Sequence, residues 1–459
     1  MKPTPQVLVL SLALAAACTE APAVSAPAVE QAASASMGRP QNDERYVAIG
    51  TSVSMGWESN GVYDAVQRVS WPALLGFATD RGITLPLIQS PGCTSPLVPP
   101  LAAGLRLSGE SAAGSTVCAP NDAGVVLPTQ NLGLASALAV DALETTPEAT
   151  SYPWFARVLP PETTALGAAL GEHPTLVSVE LGANEVLGAL SGLAVSGVTM
   201  VPLPYFTQPY DALLDAVKTT GARAVLVGLP QEARNMPALR RGDEIWADRA
   251  EFAALHVDVS DNCQGSPNYI NVSVNSLNLV FTGAFTSAHG LPNPVFSCAD
   301  VPGTEDLILT PADLTMINGV LAQMSDHIRA QAAARGYAYF SLGALYDMPG
   351  LKSAKYSVVT QLTSRNPFGP LMSLDGVHPS PFGHAVLATA AALAIDRTFH
   401  NGAHPLAPVA SLAEEFDEAP DLASRLEQAR RFAAAHQGEH VIPCPITGRC
   451  DIARLRRMH

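Results

Sequence analysis

Short apolar runs, each closed by a turn signal, recur along the chain. Tyr46-Val47-Ala48-Ile49 ends at Gly50, Leu176-Val177-Ser178-Val179-Glu180-Leu181 ends at Gly182, and Ala224-Val225-Leu226-Val227 ends at Gly228-Leu229-Pro230. Runs of this length predict short buried strands. Helical patterns lie between them, Tyr210 to Thr219 before the third strand and Asp313 to Arg335 before a fourth at Tyr337-Ala338-Tyr339-Phe340. Strands that alternate with helices predict an α/β fold with a parallel central sheet covered on both faces. In such a sheet, ligands sit beyond the carboxyl ends of the strands.

The two ends of the chain break this rhythm. Lys2, the apolar stretch Val7 to Ala17 and the small residues Ala15-Ala16-Ala17 predict an export signal over residues 1–17. Small residues directly before Cys18 are similar to a bacterial lipobox, which would make Cys18 the acylated first residue. Ordinary cleavage after Ala17, or near Val24-Ser25-Ala26, is the alternative. Residues 18–44, rich in Ala, Pro, Ser and Glu without an apolar period, read as a disordered tether. The main domain is expected over residues 45–400. An apolar, Asn- and Ser-rich insertion runs from Cys263 to Cys298, within which Asn278-Leu279-Val280-Phe281 reads as a hairpin strand. Residues 401–459 form a separate tail with a charged helical stretch, Ala413 to His436, and a small cysteine loop.

With 459 residues, 47% of them hydrophobic and 15% charged, the chain can build a sizeable core. The formal net charge of −15 would repel a polyphosphate, which argues against a nucleic-acid partner. No apolar run reaches the roughly 18 to 20 residues needed to cross a bilayer, so membrane attachment is expected only through a lipid on Cys18. Removing Cys18 from the seven cysteines leaves six, which permit 15 connectivities. The simplest pairs sequence neighbours: Cys93–Cys118, Cys263–Cys298 and Cys444–Cys450. Disulfides together with an export signal place the protein in a cell envelope, lipid-anchored on a periplasmic or outer-membrane face, or secreted. With no C-x-x-C spacing and no H-E-x-x-H, neither a metal nor another cofactor is expected.

Three sequence islands carry chemistry when taken together, although each alone also reads as an ordinary turn, helix cap or helix-start loop. Gly50-Thr51-Ser52-Val53-Ser54-Met55-Gly56 follows the first strand and would hold a serine hydroxyl at the strand tip. Gly182-Ala183-Asn184-Glu185 follows the second, where the Asn184 amide would donate to a developing oxyanion. Asp375-Gly376-Val377-His378-Pro379 precedes an Ala-rich helix. A carboxylate three residues before a histidine can fix its tautomer and leave Nε2 to take a proton from a serine.

In order and spacing these islands resemble the SGNH hydrolases, also called GDSL lipases and esterases, over about residues 45 to 400. The resemblance implies a three-layer α/β/α flavodoxin-like fold, with Ser52 as nucleophile, His378 as general base and acid, and Asp375 orienting it. It implies an oxyanion hole built from Asn184 and the backbone N–H of Ser52. The remaining donor would be the N–H of Ser136 in Asn131-Leu132-Gly133-Leu134-Ala135-Ser136, with Gly92 after Ser90-Pro91 as a second candidate. The family's Gly-Asp-Ser is Gly-Thr-Ser here, and its Gly-x-Asn-Asp is Gly-Ala-Asn-Glu. Hydrolysis of carboxylic esters, lipid or other acyl, is the expected activity, with no cofactor and a small-molecule or lipid ester as the partner. Two alternatives are a polysaccharide O-acetyl esterase and a surface lipoprotein that kept the fold without the chemistry. Gly-x-Ser-x-Gly, the mark of the α/β-hydrolases, is absent. The apolar, Gly-containing segment from Val186 through Phe206 reads either as an acyl-binding wall or mobile lid, or as a buried helix and its connection.

Overall fold

The structure is a computed structural model that describes residues 44–352 and 355–400. The export signal, Cys18, the tether, the tail and Cys444–Cys450 lie outside the described residues. Five strands, β1 (Tyr46–Gly50), β2 (Asn131–Gly133), β3 (Leu176–Glu180), β4 (Arg223–Gly228) and β5 (Ala338–Ser341), form the central sheet. Their order is β5-β4-β3-β1-β2 and every pairing is parallel. The four strands read from the apolar runs are all present. The fifth, β2, is three residues long, too short to show a period.

Seven helices bear on the site: α1 (Ser52–Met55), α2 (Trp71–Ala78), α3 (Asn184–Leu187), α4 (Leu203–Thr219), α5 (Val272–Ala288), α6 (Pro311–Arg335) and α7 (Pro381–Phe399). Alternation along the strands feeds two cores, because successive side chains point to opposite faces. Val47, Ile49, Val177, Val179, Ala224 and Leu226 pack with α4 and α6 through Phe206, Leu213, Leu214, Ile317, Leu321 and Ile328. Tyr46, Ala48, Val225, Val227, Ala338 and Phe340 pack with α2 and α7 through Trp71, Leu75, Leu387, Ala391 and Ile395. Three α/β/α layers result, as the alternation of strands and helices predicts. The strand order is that of the flavodoxin-like sheets, whose direction of winding reverses between β1 and β3. The crevice at their carboxyl ends is where such folds bind ligands.

Two local expectations differ from the structure. Asn278 to Phe281 is not a hairpin strand but part of α5, whose buried residues Val272, Ser273, Ser276, Leu277, Val280 and Gly283 recur at helical spacing. Val, Asn, Ser and Thr are indifferent helix formers, so tertiary burial decides this segment rather than local preference. Gly283 allows the close packing, since a Cβ there would lie 2.5 Å from the carbonyl oxygen of His256. Helix α4 starts at Leu203 rather than Tyr210, with Pro209 inside it, which is why the pattern reads as a later start. Val186, Ala189 and Leu190 are buried in the core. Cys93–Cys118 and Cys263–Cys298 are disulfides as the neighbour pairing predicts.

Candidate active site

Gly50 and Gly133, at the ends of the adjacent strands β1 and β2, allow the turn after β1 to tuck against the sheet. A Cβ on Gly50 would sit 2.1 Å from Ser54 Oγ, and one on Gly133 would sit 2.4 Å from the Met55 nitrogen. The chain therefore leaves β1, passes through extended Thr51 and enters the single turn α1, which closes at Gly56 in a left-handed conformation. Ser52 is the first residue of that turn, at the reversal point of the sheet.

His378 arrives from the loop before α7. Its Nε2 lies 3.0 Å from Ser52 Oγ, and its Nδ1 lies 2.8 Å from Asp375 Oδ2. Serine, imidazole and carboxylate thus form a continuous relay across residues 326 positions apart. Ser52 and Asp375 are buried, while the His378 side chain keeps 16% of its surface exposed, so the series opens to solvent at the imidazole. The Trp57 ring stands 6.5 Å from that of His378.

Asp375 is held on all sides. Its Oδ1 accepts from Ser373 Oγ and from the N–H groups of Val377 and His378, each at 2.9 Å. Its Oδ2 accepts from the Asn60 N–H at 2.9 Å as well as from His378. Burial by itself would raise the Asp375 pKa. The positive His378 and these hydrogen bonds outweigh it and hold the carboxyl at about 2. Asp375 is thus a carboxylate at every pH at which an imidazole titrates.

The residues expected to form an oxyanion hole also lie close together. Asn184, buried at the start of α3, donates from Nδ2 to the Ala137 carbonyl at 2.8 Å. Ser136 directly precedes Ala137, and the Leu134 N–H donates to the Gly50 carbonyl, so the loop after β2 is tied to both islands. Ser136 has φ 65°, the left-handed conformation that favours glycine. Among the described residues, the N–H groups of Ser52 and Ser136 have no protein acceptor. The second candidate, Gly92, is engaged elsewhere: its N–H donates to the Gln89 carbonyl at 2.9 Å.

Glu180 completes the site and was not singled out from sequence. It ends β3 and is buried beneath the turn that carries Ser52. Oε2 accepts from the Thr51 N–H at 2.9 Å, Ser54 Oγ at 2.9 Å and the Ser54 N–H at 3.3 Å, and the Thr51 hydroxyl donates to Oε1 at 2.9 Å. Burial raises its pKa, partly offset by these donors. The signal was present in the sequence as an ionisable residue at the tip of an otherwise apolar strand. Glu180→Ala leaves four donors buried and opens a void, and is expected to destabilise the fold by about 3 kcal/mol. Glu180→Gln, which keeps one acceptor oxygen, is expected to cost about 1 kcal/mol. Urea denaturation of both variants measures the difference.

Glu185 follows Asn184 and is also buried. Its Oε1 accepts from the Ala139 N–H at 2.7 Å, which braces the segment that Asn184 also holds. Burial, with smaller contributions from Asp141 and Glu180, pushes its carboxyl up to about 7. A folded pKa above the unfolded value of 4.5 means that this group's contribution is fully present below pH 4.5 and is lost as the pH rises through about 7. The loss amounts to about 3 kcal/mol. Glu185→Gln keeps an acceptor for Ala139 and removes the titration. Relative to the parent, it is expected to be more stable at about pH 8 than at about pH 4, as read from urea midpoints at the two pH values.

His384, six residues after His378, takes no part in the relay. It is fully buried in α7 and accepts from the Trp71 N–H at 3.3 Å through Nδ1. Burial and then the positive His378 push its pKa down to about 3, so it remains a neutral structural imidazole.

No family model matches the chain, and no curated protein matches it. The two disulfides, and the lack among the described residues of a helix long and apolar enough to cross a membrane, are compatible with export.

Proposed function

We propose that the protein is a serine ester hydrolase of the SGNH type, acting on carboxylic esters through an acyl-enzyme on Ser52. One observation carries this reading: Ser52 Oγ, His378 and Asp375 lie in hydrogen-bonded series at 3.0 and 2.8 Å, at the ligand-binding edge of the sheet and beside Asn184. The departures from the family pattern leave the reacting atoms in place. Where the family has a carboxylate next to its serine, this chain has Thr51, with the Glu180 carboxyl supplied to the same turn from the neighbouring strand.

In the proposed reaction His378 Nε2 takes the Ser52 proton as Oγ attacks the ester carbonyl. The N–H groups of Ser52 and Ser136 and the Asn184 amide receive the negative charge on the carbonyl oxygen. The tetrahedral adduct collapses, and the alcohol leaves with the proton that His378 returns. Water, deprotonated by His378, then attacks the acyl-enzyme, releases the carboxylic acid and restores Ser52. Lipid or other acyl esters are the substrate class we infer. We also infer export under the signal at residues 1–17, with Cys18 as the acylated residue.

The test is hydrolysis of chromogenic acyl esters, from acetyl to long-chain, by the full chain and by Ser52→Ala. Activity that disappears in the folded variant supports the reading, and the chain-length profile separates an acyl-lipid esterase from an acetyl esterase. An inert parent, or an equally active variant, overturns it.

A further inference from the structure

Between the cysteines of the Cys263–Cys298 disulfide lie 34 residues, Gln264 to Ser297, without a single Asp, Glu, Lys or Arg, in a chain of which 15% is charged. Helix α5 occupies the middle of this segment. Its buried stripe faces the protein, and its other side carries Phe281 (39% exposed), Ala284, Phe285 (58%) and Ala288, followed by Leu291 (51%) and Val295 (58%). Phe281 and Phe285 are one helical turn apart, so both rings emerge on the same face. The Phe285 ring packs only 4.2 Å from the His289 ring, within the patch itself. The nearest carboxylate bonded to the segment, Asp258, accepts from Asn293 Nδ2 at the edge of the patch.

Buried hydrogen bonds link this helix to the candidate active site. The Phe281 ring lies against Gly104, where a Cβ would sit 3.1 Å from it. Two residues on, Arg106 donates to the Asn60 carbonyl, and the Asn60 N–H donates to Asp375. At the other end of α5 the Val272 N–H donates to Ala238 O, and the Ala238 N–H donates to Gly376 O in the histidine loop.

We propose that this face of α5 and the turn after it form a docking surface for an electrically neutral, zwitterionic phospholipid interface. Charge decides the occupant. A chain of net charge −15 is repelled by anionic lipid and has no basic cluster here to draw it in, whereas an uncharged face bearing two aromatic and two aliphatic side chains enters a neutral headgroup region without desolvating an ion. The disulfide joins the two ends of the segment to each other, and both cysteines are buried in the core, so partition of the patch holds the whole domain at the interface. For what it delivers the proposal rests on the hydrolase reading: docking would hold a hydrolase at the phase in which acyl lipids reside.

The experiment is co-sedimentation of the full chain with phosphatidylcholine vesicles, with Cys18→Ser as the background so that acylation cannot supply the affinity. The test variants are Phe281→Ser with Phe285→Ser and, because Phe281 also packs on Gly104, Phe285→Ser with Leu291→Ser. Both pairs are expected to lower partition by about tenfold or more while hydrolysis of a water-soluble short-chain ester stays within about twofold of the background. A background protein that does not partition, or folded variants that partition equally, overturns the proposal. So does a dimer in solution that both variants dissociate, because the occupant is then a second copy. Partition that the variants abolish in a protein inert on every ester leaves the docking surface standing and overturns the hydrolase reading instead.

Discussion

Ser52→Ala is expected to reduce hydrolysis of any accepted ester by on the order of 10⁴-fold or more while leaving the protein folded. The rate loss follows from geometry. Ser52 Oγ is the atom 3.0 Å from His378 Nε2, and neither Ser54 nor Thr51 can substitute, because both hydroxyls are hydrogen-bonded to Glu180 on the sheet side of the turn. Stability is expected to change by no more than about 1 kcal/mol, the worth of one hydrogen bond, since the partly exposed His378 meets water once Oγ is gone. Ester turnover and thermal melting on the same sample check both halves. The residual rate would report what the oxyanion donors achieve alone.

Asp375→Asn is expected to lose about 10³- to 10⁴-fold in turnover and also to destabilise the protein, in contrast to Ser52→Ala. Both carboxylate oxygens face donors only: Asn60 N–H and His378 Nδ1 on one side, Ser373 Oγ and two backbone N–H groups on the other. Either orientation of an asparagine amide turns its NH₂ toward groups that themselves donate, and toward Nδ1 it favours the tautomer in which Nε2 carries the proton and cannot act as a base. Because burial and the more powerful charge and hydrogen-bond effects leave the folded pKa at about 2, below the unfolded 3.8, the carboxylate's contribution is present above pH 3.8 and is lost as the pH falls through about 2. It amounts to about 2 kcal/mol. Acid unfolding is the second measurement: the parent's stability should decline across this range, and the variant should lack that component of the slope. A variant with parental turnover would remove Asp375 from the relay.

Much of the candidate site was legible because its unusual polar residues stand at the ends of two strands and, for Asp375 and His378, in one short loop before a helix. Gly50 to Ser52, Gly182 to Asn184 and Asp375 to His378 each carry a local reason for their residue types, and the separation of three between Asp375 and His378 lets one loop close the carboxylate on the imidazole. Ser136 was reached through the family's loop pattern, and its backbone is left-handed. Less legible were groups that act through partners distant in sequence. Asn60 meets Asp375 across 315 positions, and Glu180 meets Thr51 across 129, so no local window contains either pair. The residues 278–281 show the same limit from the other side: their Asn, Leu, Val and Phe fit a strand or a helix, and burial along one face of α5 made the choice.

The sequence by itself determined the layered α/β class, the strands that carry the islands, and the types of side chain placed at their tips, because apolar periodicity and turn chemistry are local properties. Tertiary structure alone decided the order β5-β4-β3-β1-β2, which sets the serine and asparagine islands side by side, and the approach of the histidine loop to within 3.0 Å of Ser52. It also decided that Glu180 lies beneath the turn that carries Ser52 and that the uncharged segment turns its phenylalanines outward. These are matters of strand pairing and close packing between residues hundreds of positions apart, whose energies depend on burial and distance rather than on neighbours in the chain.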